Sequence, residues 1–133
     1  MKLLDTSIII SILRGDEEVR DLVERLNKGS LCTTTITQFE LFSRIYHKGL
    51  IKEGIILKRL IKSLALLTFD EDSSDKAAQI MGILLKAGRP INVIDVLVAG
   101  IALANGVEDI ITRDEDFKVI EEICGYPKVT LLK

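Results

Sequence analysis

Five brief apolar runs, no two of them consecutive, constrain this chain more than any other feature. They are Lys2–Asp5, Leu31–Thr34, Leu66–Phe69, Asp109–Thr112 and Lys128–Leu132, and at least one segment with apolar residues at helical spacing separates each from the next. Those segments are Ser7–Arg14 and Glu17–Lys28, then Thr37–Lys48 and Leu50–Ser63, then Ser73–Ala87 and Asn92–Asn105, and last Glu115–Ile123. Strands separated by helices cannot close as hairpins, so they pair in parallel, and parallel strands are covered on both faces. The expectation is an α/β fold: a three-layer α/β/α sandwich around a five-stranded parallel sheet, with residues 1–133 as a single domain. Gly15, Gly29, Gly49, Gly88, Gly106 and Gly125 each follow a periodic segment, where helix C-caps belong. The Ala99-Gly100 pair inside a helical segment predicts a close approach of that helix to the sheet.

The chain has 133 residues, of which 47% are hydrophobic and 29% charged, enough to bury a core without a disulfide or a metal staple. Aromatics make up 5% and Trp is absent, so the core is expected to be aliphatic. No apolar run reaches the roughly 18 residues that span a membrane. Asp5 interrupts the N-terminal apolar stretch where a signal peptide would continue, so the expected compartment is the cytoplasm. Cys32 and Cys124 read as small buried hydrophobes rather than a disulfide framework. A lone histidine, His47, reads as part of a solvated helix end, which argues against a zinc site.

Net charge is −2, from 18 Lys+Arg against 20 Asp+Glu, which excludes a generally basic nucleic-acid coat. Its distribution says more. Residues 42–66 carry 6 bases and 1 acid, whereas residues 67–133 carry 7 bases and 12 acids. The basic band comprises Arg44, Lys48, Lys52, Lys58, Arg59 and Lys62. It reads either as a solvated helix face or as a surface for nucleic-acid phosphates.

Acids fall where strands hand over to helices or where helices begin, and the carboxyl edge of the strands is where α/β sheets place their chemistry. Asp5 closes the first run, Glu40 follows the second, Asp95 opens the most apolar helix, and Asp114 and Asp116 follow the fourth. Each alone also reads as a cap. Thr37-x-x-Glu40 and Asn92-x-x-Asp95 match capping boxes, while Asp5 and Asp114 match N-caps. Asp95 stands apart, because a solvated cap would not need Val93, Ile94, Val96 and Leu97 around it. The functional reading is that these carboxylates converge on a divalent ion, since close carboxylates repel unless a cation neutralises them. Oxygen ligands without His or Cys select Mg²⁺ or Mn²⁺, the ions of phosphodiester hydrolysis.

Four motifs then carry a resemblance. Leu3-Leu4-Asp5-Thr6-Ser7, Thr37-Gln38-Phe39-Glu40-Leu41, Ile91-Asn92-Val93-Ile94-Asp95-Val96-Leu97-Val98-Ala99 and Thr112-Arg113-Asp114-Glu115-Asp116-Phe117 occur in that order over essentially the whole chain. In them the sequence resembles the PIN-domain nucleases, and within those the VapC-type toxins of toxin–antitoxin pairs. The resemblance implies a metal-dependent endoribonuclease whose metal-binding acids fall on Asp5, Glu40, Asp95 and Asp114, with Asp116 as a fifth. Asp5 and Asp95 would be direct ligands, and Glu40 and Asp114 would complete the site or orient water. Thr6, Ser7 and Thr112 match positions that support such a site by hydrogen bonds. The implied partners are RNA, a VapB-type antitoxin and a second copy of the chain; the Ile/Leu-rich helices at Thr37–Lys48 and Leu50–Ser63 read either as the dimer surface or as core packing. A PIN-like binding module without nuclease activity and a housekeeping RNA-processing nuclease are the alternatives. A phospho-acceptor receiver domain with Asp70 as acceptor fails, because Asp5 stands alone at the end of the first strand. A haloacid-dehalogenase-type phosphatase needs a second acid where Ser7 stands.

Overall fold

The computed structural model describes the backbone of residues 1–133 and the side chains of all but Lys28. Elements follow the order β1 (Lys2–Leu4), α1 (Thr6–Leu13), α2 (Glu17–Arg25), a 3₁₀ turn (Lys28–Ser30), β2 (Leu31–Thr34), α3 (Thr35–Lys48), α4 (Ile51–Lys62), β3 (Ala65–Leu67), α5 (Glu71–Lys86), α6 (Val93–Ala104), β4 (Asp109–Thr112), α7 (Glu115–Cys124) and β5 (Val129–Leu131). All five strands are parallel, in the order β3-β2-β1-β4-β5.

Alternation along each strand builds two cores. Leu3 and Ile110 face Ala77, Ile80 and Leu84 of α5, Val96, Ala99 and Ala102 of α6, and Phe117 and Ile120 of α7. Leu4 and Ile111, one residue on, face Ile8 and Ile9 of α1, Val19 of α2, Leu41 and Ile45 of α3, and Leu57 and Ile61 of α4. Most of these side chains are fully enclosed. Burying each Leu, Ile, Val or Phe among them contributes about 1.5–3 kcal/mol relative to exposure. The three layers are thus α1–α4, the sheet, and α5–α7.

Several boundaries differ from the sequence reading. α2 ends at Arg25, because the chain turns into a 3₁₀ segment in which Gly29 sits without a positive φ. Gly29 is therefore no helix cap, while Gly49 and Gly125 are left-handed C-caps at φ 65° and 80°. α3 starts two residues early, since Thr34 is its N-cap and its hydroxyl accepts the Thr37 N–H at 3.0 Å. Thr37 is consequently inside the helix, and the Thr37-x-x-Glu40 capping box does not form. β3 lies at Ala65–Leu67 rather than Leu66–Phe69, held by pairing of Cys32 with Ala65. Gly100 faces α5 rather than the sheet. A Cβ built there would sit 2.5 Å from Ala77 Cβ and 2.7 Å from the Ala77 nitrogen and the Ser73 carbonyl oxygen.

Candidate active site

Strand order reverses around β1. The chain proceeds outward from β1 to β2 and β3, then returns to place β4 on the other flank of β1. Such a reversal leaves a crevice beyond the carboxyl ends of the two central strands. Asp5 directly follows β1, and Asp114 lies two residues beyond β4. Glu40, in the second turn of α3, and Asp95, in the first turn of α6, complete the walls. Asp5, Glu40, Asp95 and Asp114 line one cavity of about 230 Å³, with Thr6, Ser7, Thr37 and Asn92 among its polar neighbours.

The acids do not sit alike. Asp95, Asp114 and Asp116 each bring a carboxylate oxygen within 4.8 Å of the others. Asp5 and Glu40 line the same cavity outside that trio. Asp5 is 5% exposed and well tied. Its Oδ1 accepts the Ser7 hydroxyl at 2.6 Å and the Ile8 N–H at 3.3 Å, and its Oδ2 accepts the Thr112 hydroxyl at 2.6 Å. It therefore caps α1 as well as facing the cavity. Glu40 Oε1 accepts the Thr6 hydroxyl at 2.7 Å. Two hydroxyls relay these ties to β4: the Arg113 N–H donates to Ser7 Oγ at 2.9 Å, and the Asp114 N–H to Thr112 Oγ1 at 2.8 Å. The ends of β1 and β4 are thereby joined through Asp5. Asp114 caps α7 by accepting the Asp116 N–H at 2.9 Å.

Electrostatics separate the acids further. Burial is the largest cause of a raised Asp5 pKa, opposed by its Ser7, Thr112 and Ile8 hydrogen bonds. Asp95 is pushed up to about 8, first by burial and then by the Asp114, Asp116 and Asp5 carboxylates. Asn92 caps α6, accepting the Ile94 N–H at 2.9 Å, yet no reciprocal bond to Asp95 closes the capping box. Instead Asp95 Oδ2 is buried with no hydrogen-bond partner. A buried, unpaired carboxylate oxygen is costly. With two more carboxylates beside it, the donor set fits a hard divalent cation.

The basic band lies on α3 and α4. Arg44 is engaged, donating to Glu53 at 2.8 Å, so its charge is neutralised within the protein. Lys48, Lys52, Lys58, Arg59 and Lys62 are exposed. Lys58 and Lys62 line a groove of about 660 Å³ together with Gln38, Phe39, Phe42, Tyr46 and Leu66. Successive residues of α3 divide the two features, with Gln38 and Phe39 facing the groove and Thr37 and Glu40 the cavity. The sequence reading overlooked Thr37 and Asn92 as cavity-lining groups. The available signal was spacing: each lies three residues before an acid and so on the same helical face. It also overlooked Arg113, which donates to Asp16 Oδ2 at 2.7 Å and to the Lys133 carbonyl at 2.9 Å.

A PIN-domain profile matches residues 2–123. Ribonuclease VapC3 of Methanocaldococcus jannaschii is 37% identical over 98 residues, covering 74% of this chain and 94% of that protein. The tRNA(fMet)-specific endonuclease VapC of Shigella flexneri is 25% identical over 118 residues, covering 87% and 89% respectively. The structure of VapBC2 from Rickettsia felis, bound to a DNA fragment from its promoter, matches the fold with a TM-score of 0.85 at 18% identity, over 99% of this chain and 98% of that one. With its first four strands and all five candidate acids inside the matched span, this chain belongs to the PIN-domain family and groups with the VapC members of it.

Proposed function

We propose that the protein is a divalent-metal-dependent endoribonuclease and the toxin of a VapBC-type pair. The Asp95, Asp114 and Asp116 cluster with its unpartnered buried oxygen carries the metal part of this reading. The relatives named as RNA-cutting enzymes support the substrate class. Asp95, Asp114 and Asp116 would hold Mg²⁺ or Mn²⁺, with Asp5 and Glu40 completing the site. A bound ion supplies Lewis acidity at the phosphate and an activated water at neutral pH. The protein's own contribution is positional. Ser7 and Thr112 fix both oxygens of Asp5, and Thr6 fixes one oxygen of Glu40 so that the other is free to orient water. A VapB-type antitoxin, a second copy of the chain and a cytoplasmic setting complete the proposal. The exposed Phe39, Tyr46, Ile51 and Ile55 on α3 and α4 support a protein partner on that face.

Incubation of the purified protein with labelled RNA tests the reading. Fragments should form in Mg²⁺ or Mn²⁺, vanish in excess EDTA and return when Mn²⁺ is restored. Asp114→Asn keeps the helix cap and should slow cleavage more than about tenfold, the scale of damage to a metal site's support. Cleavage undiminished in excess chelator would overturn it.

A further inference from the structure

A substrate phosphate entering the cavity meets a wall that repels it. Asp5, Glu40, Asp95 and Asp114 are acids, and no Lys or Arg lines the cavity among the described residues. Its hydroxyls are committed where they could help, since Thr6 donates to Glu40 and Ser7 donates to Asp5. Thr37 lies fully buried. Asn92 differs. It is exposed at the rim of the same cavity, and its side-chain oxygen is used in capping α6 through the Ile94 N–H. That bond fixes which end of the amide is which. The nitrogen is left as a donor with no acceptor among the described residues. Asn92 also stands one helical turn from Asp95, so both lie on one face of the chain leading into α6.

We propose that Asn92 Nδ2 donates a hydrogen bond to a non-bridging oxygen of the scissile RNA phosphate, making Asn92 a substrate-binding residue. The inference rests on the ribonuclease reading above. An uncharged donor suits this position for a physical reason. A lysine or arginine on the rim would pair with Asp95 or Asp114 and compete with the cation for them, whereas an amide offers hydrogen without charge. The same side chain thus does two jobs with its two ends: oxygen to the helix, nitrogen to the substrate.

Two substitutions separate those jobs. Asn92→Ser keeps a capping oxygen but replaces the amide donor with a hydroxyl one bond shorter in reach. Asn92→Asp keeps an equally good cap and replaces the donor with a negative charge. Single-turnover cleavage of a labelled random-sequence oligoribonucleotide, with protein in excess and Mn²⁺ present, gives the half-saturating protein concentration and the maximal rate for each. Asn92→Ser should raise half-saturation about tenfold, the scale of one hydrogen bond to a charged group. Asn92→Asp should raise it at least as much, while its melting temperature stays at or above that of the unsubstituted protein. Full rescue of binding by Asn92→Asp would assign Asn92 to capping alone and overturn the proposal. So would half-saturation within twofold of the parent in both variants while the parent cleaves. Absence of cleavage by the parent itself would remove the ribonuclease reading and this assignment with it.

Discussion

Asp95 is held in a place that disfavours its charge, and the sign of the effect on stability follows. In the unfolded chain its carboxyl ionises near 3.8, and in the folded chain near 8. Between those values the native state keeps a proton that the unfolded state has lost, so stability falls as pH rises and levels off above about 8. Solvent reaches the cavity and screens the effect, which narrows the pH window of the decline, while its slope is bounded by the roughly 1.4 kcal/mol per pH unit of one full proton. Thermal melts of metal-free protein from pH 5 to 8 should show this decline, and Asp95→Asn should flatten it. Equal slopes in both proteins would place the responsible proton elsewhere. Mn²⁺ should erase the decline in the parent, because binding to the native state alone adds stability.

Helix α6 depends on Gly100 for its distance from α5. A methyl group there would collide with Ala77 and with the Ser73 carbonyl oxygen, and two of the three nearest atoms are backbone and cannot rotate away. Gly100→Ala should therefore destabilise the protein by about 1–3 kcal/mol, although alanine is the better helix former by about 1 kcal/mol. Urea denaturation checks it, and a stabilised variant would show that α5 can move aside. The sequence marked Gly100 as a site of close approach but assigned it to the sheet, because helical periodicity does not say which neighbour a face meets. The strands were legible for a different reason. Central strands covered on both faces leave unbroken apolar runs such as Leu3-Leu4 and Ile110-Ile111. β3 is an edge strand whose Ala65 and Leu66 are exposed, so burial left no such mark and its register came from pairing with β2. Overlapping hydroxyls at Thr33, Thr34, Thr35 and Thr37 hid the start of α3, since each could cap a helix.

Over the whole molecule, an acidic cavity lies across α3 from an exposed basic groove edge. If Lys58 and Lys62 guide RNA toward the cavity, Lys58→Ala/Lys62→Ala should weaken its binding and flatten the log–log salt dependence by about 0.7 for each phosphate that is no longer neutralised. Binding of labelled RNA by an Asp5→Asn background across a salt series measures this, and an unchanged slope would assign the two lysines to a protein interface. Arg44 should contribute little to that slope, since Glu53 already holds it. Each acid's place, after a strand or at the opening of a helix, was readable along the chain. Their separation into a tight trio and two flanking groups was not, because it depends on how α6 and the turn after β4 meet in space. The strand order has one more consequence, in the timing of synthesis. β1 is made first yet sits in the middle of the sheet, and its partner β4 arrives more than a hundred residues later. At about 5–20 residues per second on the ribosome, the cavity can close only once Asp114 has been made, about 5–20 s after Asp5. Until then a nascent chain carries Asp5 and Glu40 without the acids that face them across the cavity, and one that stops short of β4 never gains Asp114.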